Sequence, residues 1–194
     1  MSQSCLMKLR DIIDPLMVLL DDANAAETLL DATDGQFERR AYVRSTMVMI
    51  EGTIWILKQT CLKASNPNRT RHLAVAEFAM LSDQTYDLKN NGEVRTTTKF
   101  LKLPDNLRFT INMCNRLFGC SLNLQAGDAS WDRFLKAVAV RNRIMHPKVI
   151  TDFEITNQEI DNCKQVVSWF NTMIHEFVTQ LRKNAESISN SEEA

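Results

Sequence analysis

Five glycines and four prolines are all that punctuate these 194 residues. A chain so poor in breakers is not readily cut into short strands and tight turns, and it favours a few long helices joined by brief links. Nine methionines point the same way, because unbranched apolar side chains lose little rotamer freedom on a helix. The length suits one domain, or one with a small appendage, and is enough to bury a real core.

Hydrophobic spacing then locates the helices. Residues 4–21 set Leu6, Leu9, Ile12, Ile13, Leu16, Leu19 and Leu20 at steps of three and four, with Pro15 kinking this helix or restarting it after Asp14. A short helix is expected over 23–31. Asp34-Gly35 opens a long helix over 36–63, with Asp34 as its cap. A turn-rich basic link, 64–71, leads to a helix near 72–88 that stops at Asn90-Asn91-Gly92. The stretch 93–104 leaves room for a short extended piece at Val94–Thr98. Pro104-Asp105 starts a helix ending at Phe118 before Gly119, and Ser130 is the expected cap of a helix over 131–146.

The final helix begins at Thr156-Asn157-Gln158-Glu159, which fits a capping box. Along it Ile160, Cys163, Val167, Phe170, Ile174, Phe177 and Leu181 form a heptad seam, read as the core face of a bundle in preference to a dimer seam. The expected architecture is all-α. A helical segment, 1–33, packs on a bundle over 34–183, and an acidic tail, 184–194, is expected to be disordered.

Charge limits the partners. A formal net charge of −1 is not that of a protein held on nucleic acid by bulk counterion release, so any RNA contact has to be local. The five cysteines are odd in number and lack Cys-x-x-Cys spacing, which reads as reduced thiols of a cytoplasmic protein with no metal site. No apolar run approaches the length of a membrane span, and no Gly-rich phosphate loop or paired-carboxylate motif calls for a cofactor.

One hexapeptide stands out: Arg141-Asn142-Arg143-Ile144-Met145-His146, followed by Pro147. Wound at helical pitch, residues 131–146 put Trp131, Phe134, Leu135, Val138 and Met145 on one stripe, with Asn142 inside it and Arg133, Lys136 and Arg143 on the solvated side. Asn142, buried in that reading, needs a partner. Its i to i+4 relation to His146 offers one and would fix the imidazole's tautomer. His146 precedes a proline and so ends the helix, where the helix dipole favours its protonated form and a nearby Arg141 opposes it. Glu51, interrupting an apolar run from Met47 to Leu57, wants a cation, and Arg141 is the attractive one; a partly exposed or purely structural Glu51 is the even alternative. Lys148, next to His146, is a further candidate for binding substrate, as is Arg143. Arg39, Arg40, Arg44, Lys99 and Lys102 read more simply as solvated faces. The bland reading of the motif itself is helix capping and bundle packing.

In these residues the chain resembles the HEPN superfamily, whose signature is Arg, a polar residue, three further residues and His near the last long helices of an all-α bundle. The resemblance covers roughly 36–183, with only the motif specific. It implies a metal-independent endoribonuclease of toxin–antitoxin, phage-defence or RNA-processing type, working as a homodimer with a composite cleft and held by an antitoxin or other regulatory protein. His146 would act as acid or base, Arg141 would hold the scissile phosphate, and Asn142 would orient His146 or the substrate. Attack by the ribose 2′-oxygen would leave a 2′,3′-cyclic phosphate and a 5′-hydroxyl. Some family toxins carry a Tyr two residues after the His, modified by their antitoxin; Lys148 stands there. The alternative is a non-catalytic helical module that binds a protein or nucleotide.

Overall fold

A computed structural model describes residues 3–65, 72–124 and 127–192. Six α-helices dominate them: α1 (Gln3–Thr33), α2 (Gln36–Ala64), α3 (Val75–Leu81), α4 (Leu103–Phe118), α5 (Ala129–Met145) and α6 (Asn157–Glu192). One antiparallel hairpin, β1 (Gln84–Leu88) and β2 (Val94–Thr98), lies between α3 and α4. The fold is mostly helical. Most of the expected link at 64–71 falls outside the described residues, as do the side chains of Leu6 and Leu9. Among the described residues, no helix is long and apolar enough to cross a membrane.

Two compact units divide the chain, and each has its own core. The first combines Met1–Thr53 with Leu122–Ala194. Helix α1 is continuous through Pro15 and through the expected break near residue 22, because Asp22-Ala-Asn-Ala25 contains no breaker and Leu16, Ala23 and Leu30 keep one buried heptad stripe running. It ends at Asp34, which adopts a positive φ of 46° and returns its N–H to Leu30 O at 2.8 Å. Asp34 therefore closes α1 instead of capping α2. Its carboxylate takes both arms of Arg39 at 2.7 and 2.8 Å, a bidentate pair that holds its pKa below the usual carboxylate value. Where α1 meets α2, a Cβ on Gly52 would come within 2.8 Å of Leu19 Cδ1, so the glycine permits the close approach.

The seam on α6 is buried within the single chain through Ile160, Cys163, Val167, Phe170 and Phe177. Its Thr156–Glu159 capping box forms as expected, with Glu159 accepting from Thr156 N at 2.9 Å and Thr156 Oγ1 accepting from Glu159 N at 3.3 Å. The α6 helix also extends to Glu192, through residues placed in the acidic tail; Asn184–Glu192 offers neither Gly nor Pro to stop it. Asp128, not Ser130, caps α5, accepting from Trp131 N at 2.8 Å. Trp131, Phe134, Trp169 and Phe170 stack at ring separations of 5.2 to 6.5 Å where α5 packs along α6.

The second unit, Ile54–Ser121, holds the end of α2, α3, the hairpin and α4. Here the helix expected over 72–88 stops at Leu81. Asp83, at φ 52°, breaks it, and Lys58 donates to its carboxylate from a side chain almost wholly buried. The residues that follow, Gln-Thr-Tyr-Asp-Leu, pair with Val-Arg-Thr-Thr-Thr in register from Gln84↔Thr98 to Leu88↔Val94. Asn90-Asn91-Gly92 is thus a hairpin turn, not a helix stop, with Gly92 at φ 84°. Gly119, at φ 67°, ends α4 as expected. Cys61 and Cys114 bring their Sγ atoms to 3.7 Å in this unit's core; the hydrogen bond with Cys61, then burial, push the Cys114 thiol well above its usual value.

Candidate functional site

The motif helix α5 buries Trp131, Phe134, Ala137, Val140 and Ile144. That face is rotated about a quarter turn from the expected stripe. Leu135 and Met145 are exposed, and so is Asn142. The expectation of a buried Asn142 is therefore corrected: small Ala137 and β-branched Val140 fit against the neighbouring helix, leaving two larger apolar side chains outside. Asn142 does not reach for His146 with its amide either. Its Oδ1 accepts from Arg141 Nη1 at 3.1 Å, while the link to His146 is the backbone bond from His146 N to Asn142 O at 3.0 Å.

Arg141 is the centre of the arrangement. Its Nη2 donates to Glu51 Oε1 at 2.5 Å, joining α5 to α2 within the first unit. The guanidinium is held by a carboxylate on one arm and an amide oxygen on the other, and its side chain remains 30% exposed. A guanidinium has five donors, so three N–H groups are left for an incoming anion. Five residues on, an exposed His146 terminates α5 at φ −131°. Lys148 is also exposed.

The segment after His146 is firmly tied. Asp152 Oδ2 accepts from Lys148 N at 2.7 Å and Val149 N at 3.2 Å, which lowers its pKa and closes the turn. Gln36 exchanges two bonds with Ile155, at 3.0 and 2.9 Å. Arg39 donates to Ile155 O at 2.8 Å and Arg40 to Phe153 O at 3.1 Å, with the Arg40 guanidinium 5.9 Å from the Phe153 ring. Arg143, expected on the solvated side, is half-buried. It donates to Glu154 O at 2.9 Å and pairs with Glu159 at 3.0 Å, so it holds the loop from behind. Arg39 and Arg40 are spent on the same clamp.

The structure thus brings Glu51, Arg141 and Asn142 into direct contact and sets His146 and Lys148 on the adjoining rigid turn. Arg143 turns away to the loop. Sequence reasoning missed Gln36 and Asp152; the signal for Asp152 was an acidic side chain three and four residues after two free N–H groups. His72 and His175 are exposed and apart from these contacts. Among the described residues no group of three or more His, Cys, Asp or Glu is placed to hold a metal ion. Comparison with protein-family models, curated proteins and solved structures finds no match to this chain.

Proposed function

We propose that this protein is an endoribonuclease of HEPN type, cleaving RNA through 2′-hydroxyl attack. The observation that carries the reading is the Arg141 guanidinium, held by Glu51 and Asn142 yet 30% exposed, on the helix that an exposed His146 ends five residues later. The Glu51–Arg141 pair is partly exposed on both sides, so solvent screens it and a phosphate can displace or share it at small cost.

In the reaction, an imidazole takes the 2′-hydroxyl proton as that oxygen bonds to phosphorus, Arg141 stabilises the charge growing on the non-bridging oxygens, and the 5′-oxygen leaves with a proton from a second acid. Base and acid are two groups, and each chain supplies one motif histidine. A second copy completes the set. Met145, Val149 and Ile150, all exposed beside the motif, give this face the apolar surface such a pairing needs.

The test uses full-length protein on mixed RNA with chelator present, beside His146→Ala and Arg141→Ala. The expected result is cleavage to 2′,3′-cyclic phosphate ends by wild type and at least about a hundredfold loss in each variant. Equal activity in all three points to a contaminant and removes the proposal. A non-catalytic binding module is the second reading, favoured by the fact that Arg141 already has a carboxylate partner; intact RNA with every protein supports it.

A further inference from the structure

We infer that the β1–β2 hairpin is a docking platform for single-stranded nucleic acid. Strand pairing puts Gln84, Tyr86, Leu88, Val94, Thr96 and Thr98 on one face, and all six are exposed. The other face is partly covered at Thr85 and Thr97 and carries the Asp87–Arg95 ion pair at 2.7 Å. An isolated two-stranded sheet is marginal, and this one leaves its apolar Leu88–Val94 pair and the Tyr86 ring to solvent. Phe100, just beyond β2, is 82% exposed. Among the described residues nothing covers this face.

Charge identifies what would cover it. The chain as a whole is slightly acidic, but between residues 84 and 102 Lys89, Arg95, Lys99 and Lys102 outnumber Asp87 and Glu93. Both carboxylates are consumed, Asp87 by Arg95 and Glu93 by Lys89 at 2.9 Å. Lys99 and Lys102 stay exposed on either side of Phe100 and Leu101. At the hairpin's end, Leu88, Lys89, Asn90, Asn91 and Arg95 line an open recess of about 480 Å³ with two amide side chains in its wall, its two cations being those paired with Glu93 and Asp87. An exposed Tyr86 ring on the strand face and an exposed Phe100 between Lys99 and Lys102 in the chain suit bases that stack and a backbone that is anionic, which is the chemistry of an unpaired strand. An acidic peptide would satisfy the lysines and leave the rings idle. A duplex hides its base faces.

The choice of RNA over DNA rests on the ribonuclease reading; the platform itself does not. The experiment measures binding of a fluorescent uridine 12-mer to full-length His146→Ala protein, compared with the same protein carrying Tyr86→Leu and Phe100→Leu. These changes keep apolar area and remove the rings. Expected are about tenfold or more weaker binding in the double variant and much weaker binding of a duplex of equal length. Lys99→Ala with Lys102→Ala should lower the slope of log affinity against log salt by about 1.4. Binding unchanged in the ring variant, a duplex or polyglutamate bound as tightly, or no binding by the parent would each overturn the inference. Cleavage by wild type with unchanged hairpin binding sinks the platform alone; ring-dependent binding without any cleavage sinks the nuclease alone.

Discussion

At the scale of single residues, the Glu51–Arg141 contact separates stability from function. Both side chains keep a third or so of their surface in water, so Glu51→Gln should cost less than about 1 kcal/mol by thermal unfolding. Cleavage should fall by about tenfold or more, because the guanidinium loses the group that aims it. Normal activity in that variant would strip Glu51 of any positioning role. Asn142→Ala should leave the unfolding free energy within about 0.5 kcal/mol of wild type by thermal unfolding, as an exposed amide has little to lose. The Glu51 pairing was legible because a carboxylate inside an apolar run advertises a missing cation. The placement of Asn142 was not. The expected helical phase combines Trp131 and Phe134, which are buried, with Leu135, Val138 and Met145, whereas the packed face continues through Ala137, Val140 and Ile144, whose fit depends on a neighbouring helix that spacing does not reveal.

At the scale of elements, α2 and one half of the hairpin announced themselves: Val94–Thr98 is legible as an extended piece, whereas β1 reads as the end of a helix over 72–88 and α1 reads as two helices. Helix α2 was found within a residue of its bounds, since nothing inside it breaks the pattern. The hairpin's outer face reads apolar at Tyr86 and Leu88 without being buried, so alternation carried no burial signal; its partner strand supplies the pairing from across a turn. What fixes its start is Asp83, held in a left-handed conformation by the buried Lys58 ammonium. Asp83→Asn tolerates that backbone but leaves the lysine charge unpaired, and should destabilise by about 3 kcal/mol in urea unfolding, whereas Lys58→Met, which keeps the volume, should cost less. The reverse order would show that the pair is incidental. The turn after the motif makes a pH prediction. Asp152 is depressed by the Lys148 and Val149 N–H groups, so these bonds are intact above the ordinary value of 3.8 and fail only as pH falls through the lowered one. The amide resonances of Lys148 and Val149 should therefore titrate together with a midpoint below 3.8; a midpoint at or above it would mean the turn is not held this way.

At the scale of the whole molecule, the proposed cleavage calls for a cleft shared by two chains, and that proposal can be tested without RNA. One motif per chain gives one imidazole, while transfer of a proton from the 2′-oxygen and another to the 5′-oxygen uses two groups. The first unit spends its strongest heptad seam internally, on α6, so a second copy has to meet a different surface. Met145, Val149 and Ile150 offer that surface, and the clamp of Gln36, Arg39, Arg40, Arg143 and Asp152 holds Val149 and Ile150 in a preorganised turn, which lowers the entropy lost on association. Wild-type protein should therefore show twice the 22.2 kDa chain mass by light scattering. Ile150→Glu, at a side chain 81% exposed in the single chain, should return the monomer mass with an unchanged helical spectrum and take cleavage with it, while Ile150→Leu should keep both. A wild-type monomer that still cuts RNA would mean that a lone His146 suffices, and the exposed apolar turn would then need another reason to exist.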